Sequence, residues 1–175
     1  MTQVLLGVGS NIDPQQNICA GLDALQQEFG ELALSSVYQS AAVGFAGEPF
    51  HNLVVELDST ASVGQLASLL RQLEHAMGRP HDASRFSSRT LDIDILTYAD
   101  CCGLMDGVQL PREEITENAF VLCPLAELVP AVIHPRSGQS YADLWATYSN
   151  PRQRLQRVDF WWGDKHISSA DSGSE

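Results

Sequence analysis

The sequence predicts an α+β fold, an antiparallel sheet with helices packed on it, built around the split βαβ core of ferredoxin-like domains. Two observations predict it. The elements read in the order strand, helix, strand, strand, helix, strand. The apolar pattern also switches between period two in the strand segments and helical spacing in the two helical ones.

The first strand is Val4-Leu5-Leu6-Gly7-Val8, closed by a Gly9-Ser10-Asn11 turn. Its two glycines form neither a complete Walker loop nor a complete dinucleotide fingerprint. Residues 13–29 read as a helix: Asp13 caps, Pro14 suits the first turn, Ile18, Leu22, Leu25 and Phe29 form one stripe, and Gly30 closes. Strands are expected over residues 32–42 and 50–57, separated by a Gly- and Pro-containing loop whose apolar residues suit a substrate lid or a plain turn. Residues 62–77 form the clearest helix, with Ser62 as cap and Val63, Leu66, Leu69, Leu70, Leu73 and Met77 as a core stripe. Gly78 ends it and Pro80 prevents continuation. A strand over 91–98 leads into a turn and a short excursion. Helices are expected over 118–128 and 141–148, and a last strand over 153–162. One domain is expected over 1–162; residues 163–175, rich in Ser, Asp and Gly, are expected to be a disordered tail.

At 44% hydrophobic residues the chain can fill an ordinary core, and no apolar run reaches the roughly 20 residues that span a bilayer. No secretory signal is visible at Met1-Thr2-Gln3-Val4. Cys19, Cys101, Cys102 and Cys123 form no C-x-x-C pair, so free thiols in a reducing cytoplasm are expected. The net charge of −12 argues against a nucleic-acid partner and makes local cations informative. Of ten Lys and Arg residues, four (Arg71, Arg79, Arg85 and Arg89) lie between positions 71 and 89. Such gathering suits an anion, or else the charged face of one helix and its following loop.

The chemistry concentrates in Arg85-Phe86-Ser87-Ser88-Arg89-Thr90-Leu91-Asp92-Ile93-Asp94-Ile95-Leu96. In a strand, Leu91, Ile93 and Ile95 share one face, and Asp92 and Asp94 project side by side from the other. Two carboxylates that close call for a cation between them, either a guanidinium or a divalent ion. Mg²⁺ takes oxygen ligands, typically one or two carboxylates plus substrate phosphates. Neighbouring arginines suit phosphate oxygens through bidentate, charge-assisted hydrogen bonds. The residues therefore point to a Mg²⁺–polyphosphate site. Alternation alone favours a half-buried strand carrying two solvated aspartates, and the preceding Arg85 and Arg89 shift the balance toward a site.

This stretch resembles the signature of the 6-hydroxymethyl-7,8-dihydropterin pyrophosphokinase family. Arg85, Ser88, Arg89, Asp92, Ile93, Asp94, Ile95 and Leu96 match the family pattern, whereas Ser87 stands where Gly or Ala is expected. The resemblance extends over roughly residues 2–130 and includes the Gly-Ser-Asn turn. It implies that Asp92 and Asp94 hold two Mg²⁺ ions and act in catalysis with Arg79 and Arg89. It implies a nucleotide set of Glu74, Arg79, Arg85, Arg89, Ile95 and Arg112. The pterin set would be Ala41, Val43, Phe50, Asn52 and Phe120, with Asn52 hydrogen-bonding the ring and Phe120 stacking on it. On their own, Asn52 could equally satisfy backbone groups, Phe120 could be ordinary core and Glu74 a solvated helix residue.

Departures cluster around the nucleotide. Arg112 replaces a His, Asn118 stands where many members carry Arg, Phe86 replaces a Trp of some relatives, and His81 and Asp82 lie in a loop that is often more basic. Arg112 is always charged and longer than His, and Asn118 supplies no positive charge. The implied function is ATP- and Mg²⁺-dependent pyrophosphoryl transfer to a dihydropterin in folate biosynthesis, by a monomer with no nucleic-acid or membrane partner. The alternatives are a degenerate paralogue that binds nucleotide or pterin without turnover, and an enzyme acting on another hydroxymethyl heterocycle.

Overall fold

In the computed structural model, residues 1–41, 46–78 and 90–171 are described. Its strands are β1 (Thr2–Ser10), β2 (Ala33–Leu34), β3 (Val37–Ser40), β4 (Phe50–Ser59), β5 (Asp92–Tyr98), β6 (Gly103–Met105), β7 (Val108–Leu110), β8 (Gln156–Val158), β9 (Phe160–Trp162) and β10 (Lys165–Ser168). Its helices are α1 (Pro14–Phe29), α2 (Val63–Ala76), α3 (Glu114–Glu117), α4 (Ala119–Leu128) and α5 (Tyr141–Thr147). The main sheet runs β5-β1-β4-β3-β8, with β2 also paired to β4. Every pairing is antiparallel. The first four strands of this order, with α1 and α2 as crossovers, are the expected ferredoxin-like core.

The period-two pattern of the central strands divides the interior in two. Val4, Leu6 and Val8 of β1, Leu53, Val55 and Leu57 of β4, and Ile93 and Ile95 of β5 pack with Ile18, Leu22 and Leu25 of α1 and Leu66 and Leu70 of α2. Leu5, Val54 and Leu96 point the other way, onto Ile115, Val121, Leu122 and Leu125 of α3 and α4 and onto Tyr141 of α5. The sheet is thus sandwiched between α1/α2 and α3/α4/α5. Burying each such aliphatic side chain contributes on the order of 1.5–3 kcal/mol before entropy is counted.

Several expectations need correction. The strand expected over 32–42 is two short ones. Ser35 interrupts it: its Oγ accepts from the Val54 amide at 2.8 Å, and the Ser36 amide turns to the Glu127 carboxylate. A Ser side chain bonded to backbone competes with the ladder in this way. Gly9 and Ser10 belong to β1, not to a turn after it. Asp13 precedes α1 in the left-handed region, φ 42°, and makes no side-chain cap bond. Ser62, in contrast, forms a full capping box with Gln65. The excursion after β5 is a β6–β7 hairpin, and α3 precedes α4. The strand expected over 153–162 is β8 and β9.

The tail expectation fails as far as the described residues go. Lys165–Ser168 is a strand paired with β9, and Ser168 is buried. The Ser168 hydroxyl donates to Val158 O at 2.6 Å and accepts from the Val37 amide at 2.9 Å. Trp162 Nε1 donates to Asp23 of α1 at 2.8 Å. The four cysteines are free thiols. Among the described residues, no helix is long and apolar enough to cross a membrane.

Candidate active site

The α3/α4/α5 layer covers the Leu5, Val54 and Leu96 end of its sheet face. The residues that continue this face toward the start of β5 carry the polar chemistry. Across the strands, Asp92 of β5, Gly9 of β1 and Asn52 of β4 lie in one register row, and Asp94, Gly7 and Val54 lie in the next. The acid pair and Asn52 therefore share a face and are separated only by glycines. A Cβ at Gly9 would lie 2.7 Å from Asn52 Oδ1 and 3.7 Å from Phe50 Cδ1. No real side chain tolerates the first contact without Asn52 moving. Gly9 thus admits the Asn52 amide and Phe50 over the strand next to Asp92, while the Leu96 side chain lies over Gly7, 3.4 Å from where a Cβ would stand. The sequence places Gly7 in the first strand and Gly9 in a turn, and neither position alone signals a close approach of Asn52. Their signal was a G-x-G strand of the same period as the D-x-D strand.

Each functional side chain is held by local structure. Asn52 Nδ2 donates to Ser40 Oγ at 3.0 Å, which leaves its Oδ1 facing Gly9. Glu74 of α2 is 5% exposed, and its Oε1 accepts from the Ile93 amide at 2.7 Å, between the two aspartates. A buried carboxylate is thereby tied to the backbone of the acid-bearing strand. A β-bulge follows: Leu6 pairs with Ile95 and Leu5 with Thr97, so Leu96 is the extra residue. Bulges bend and twist a strand locally. Arg112 is anchored on the same strand, its amide donating to Leu96 O at 2.9 Å. Its guanidinium reaches Asp94 Oδ1 at 3.5 Å and Glu114 Oε1 at 3.6 Å.

A cleft of about 190 Å³ opens beside β5. It is lined by Leu70, Arg71 and Glu74 of α2, Ile93, Asp94 and Ile95 of β5, and Val108 and Arg112. Glu74, Asp94, Ile95 and Arg112, drawn from three separate segments, are thus brought together. Glu114, absent from the expected set, joins them through Arg112. Phe120 lies half-buried against the second core, Phe50 is half-buried beside Gly9, and Ala41 is exposed. Asn118 is committed to structure: its Oδ1 accepts from Gln153 Nε2 at 3.0 Å, and Gln153 Oε1 takes the first amide of α4. Val43, Arg79, Arg85 and Arg89, with His81, Asp82, Phe86, Ser87 and Ser88, lie outside the described residues.

The electrostatics favour a cation at the acid pair. Burial raises the Asp94 pKa well above the usual carboxylate range. Asp92 adds to the rise, Arg112 opposes it, and Glu114 and Glu74 raise it further. A carboxylate that disfavours its own charge in this setting gains from a nearby positive ion. The donors are hard oxygens, suited to Mg²⁺. Among the described residues no three acidic, His or Cys side chains converge on one point. The pair accordingly fits an ion that takes its remaining ligands from water or phosphate.

A family model for 7,8-dihydro-6-hydroxymethylpterin-pyrophosphokinase (HPPK) matches residues 5–130. The chain belongs to this family. A 2-amino-4-hydroxy-6-hydroxymethyldihydropteridine pyrophosphokinase of Pseudomonas aeruginosa is 36% identical over 160 residues, covering 89% of this chain and 96% of the relative. A folate synthesis bifunctional protein of Chlamydia caviae is 34% identical over 146 residues, covering 79% of this chain but 33% of that protein. The Plasmodium falciparum HPPK-DHPS structure with pteroate superimposes with a TM-score of 0.73 at 12% identity, over 97% of this chain and 47% of the other. That likeness establishes the fold alone. The chain spans about a third of the Chlamydia protein and about half of the Plasmodium one. It spans nearly all of the Pseudomonas enzyme. β8, β9 and β10, together with α5, lie beyond the residues matched to the family.

Proposed function

We infer that the chain is a pyrophosphokinase that transfers pyrophosphate from ATP to the hydroxymethyl group of 6-hydroxymethyl-7,8-dihydropterin, giving the diphosphate and AMP. The observation that carries this reading is the row Asp92–Gly9–Asn52, which sets a carboxylate pair beside an oriented amide with a glycine strand between them. The substrate hydroxyl oxygen attacks the β-phosphorus of ATP. The bond from that phosphorus to the oxygen bridging to the α-phosphate breaks, AMP leaves with that oxygen, and the hydroxyl proton is released. Such transfer needs chiefly positioning and electrostatics, so the absence of an activated nucleophile among the described site residues is no objection.

Asn52 would bond the pterin ring and Phe120 would stack on it, with Ala41, Val43 and Phe50 lining the pocket. Glu74, Ile95 and Arg112 would border the nucleotide, and Arg79, Arg85 and Arg89 would clamp its phosphates. Asp92 and Asp94 would hold Mg²⁺, two ions in the fullest form of this reading, which would supply Lewis-acid stabilisation of the charge developing on the phosphates. Glu74 positions the pair through the Ile93 amide. The reading without turnover is not favoured by the family match or by the Pseudomonas relative, a pyrophosphokinase by name that is 36% identical over 160 residues.

The test is AMP formation from ATP and Mg²⁺, with and without the pterin. Pterin-dependent AMP is expected from the wild type, and Asp94→Ala should lower the rate at least about a hundredfold with the fold intact. Full activity in that variant would sink the metal assignment. No AMP from folded wild-type protein that still binds ATP would sink the enzyme reading.

A further inference from the structure

Arg112 is held at its base and shared at its tip. Its amide is bonded to Leu96 O, two residues from Asp94 on the same strand. Its guanidinium stands 3.5 Å from Asp94 and 3.6 Å from Glu114. Both distances exceed the roughly 2.7–2.9 Å of a committed charge-assisted bond. The cation is therefore shared between two carboxylates and locked to neither. Its Nε is buried and has no hydrogen-bond partner among the described residues. A buried donor without an acceptor costs free energy that an incoming anionic oxygen would recover. Arg112 also lines the same cleft as Glu74, Asp94 and Ile95.

Two cations thus have a claim on Asp94. A divalent ion at the acid pair needs the Asp94 oxygens, and the guanidinium already partly offsets their charge. A guanidinium offers a planar fork of donors to a carboxylate or a phosphate, which an imidazole does not. We propose that Arg112 is a resident counter-cation of Asp94 that competes with the divalent ion until nucleotide phosphate draws the guanidinium away. Metal affinity is then low in the free protein and rises when nucleotide binds, a reciprocal coupling between the two ligands. This rests on the metal reading of Asp92 and Asp94 given above.

The experiment is a Mn²⁺ titration followed by electron paramagnetic resonance, on the metal-stripped full chain at pH 8, without nucleotide or pterin. An exposed or half-exposed ion pair of this kind is worth up to about 1 kcal/mol, so Arg112→Gln should bind Mn²⁺ up to about fivefold more tightly than the wild type. Adding α,β-methylene-ATP should raise Mn²⁺ affinity more in the wild type than in Arg112→Gln. Equal or weaker Mn²⁺ binding by the folded variant overturns the proposal. Should Arg112→Gln fail to fold, Arg112→Met, which carries no charge, gives the same comparison. Asp94→Asn separates the two ideas. Loss of Mn²⁺ binding there, with Arg112→Gln equal to wild type, overturns only the role of Arg112. Unchanged Mn²⁺ binding in Asp94→Asn overturns the metal site itself and the proposal with it.

Discussion

His51 precedes Asn52 on β4 and is half-buried, and its Nδ1 has no hydrogen-bond partner among the described residues. Burial lowers its pKa from the ordinary 6.5. The neutral ring is therefore the form that folding favours. The corresponding stability is fully present above the unfolded value and is lost as pH falls through 6.5 toward the folded pKa. Melting temperature is expected to drop over that window in the wild type and to drop less in His51→Gln; parallel curves from differential scanning calorimetry would contradict it. At this scale the sequence was readable where a residue carries its own chemistry. Asp92 and Asp94 announce themselves by charge and spacing. Gly7 and Gly9 do not, because the meaning of a missing side chain depends on which strands lie alongside. Glu74 was readable as a carboxylate near the site but not as the acceptor of the Ile93 amide, since that bond joins residues 19 positions apart.

Elements were legible in proportion to their length and regularity. α1 and α2 carry long apolar stripes, and α2 begins with a capping box visible in the letters Ser62 and Gln65. The hairpins β6–β7 and β9–β10 have strands of three or four residues, too short for a period to declare itself. β10 shows the cost of that shortness: a Ser-rich segment reads as tail, yet Ser168 serves an amide on β3 and a carbonyl on β8. Ser168→Ala leaves the buried Val37 amide without its partner. It should destabilise the protein by about 1–3 kcal/mol in urea titration, with an unchanged denaturant slope. A loss under about 0.5 kcal/mol would mean that β10 is not integral to the sheet's outer edge.

For the molecule as a whole, alternation along β1, β4 and β5 assigns each apolar residue to one of two cores, which is why the layered antiparallel architecture could be anticipated. What could not be anticipated is which end of the second face α3, α4 and α5 cover, because that depends on where these helices come to rest. The net charge of −12 is a property of the same scale. Self-repulsion in so acidic a chain opposes compactness and is screened by salt, with a Debye length near 8 Å at about 0.15 M. Melting temperature is expected to rise between about 0.01 M and 0.15 M sodium chloride; a flat or falling profile would show that local ion pairs outweigh the net charge. The sheet also ends on β5, and an edge strand offers unpaired backbone groups to any passing chain. Glu74 occupies one of those groups, the Ile93 amide, with a buried carboxylate. The side chain that steadies the acid pair therefore also denies a foothold for strand addition, and its loss would open a route to aggregation as well as misplacing the site.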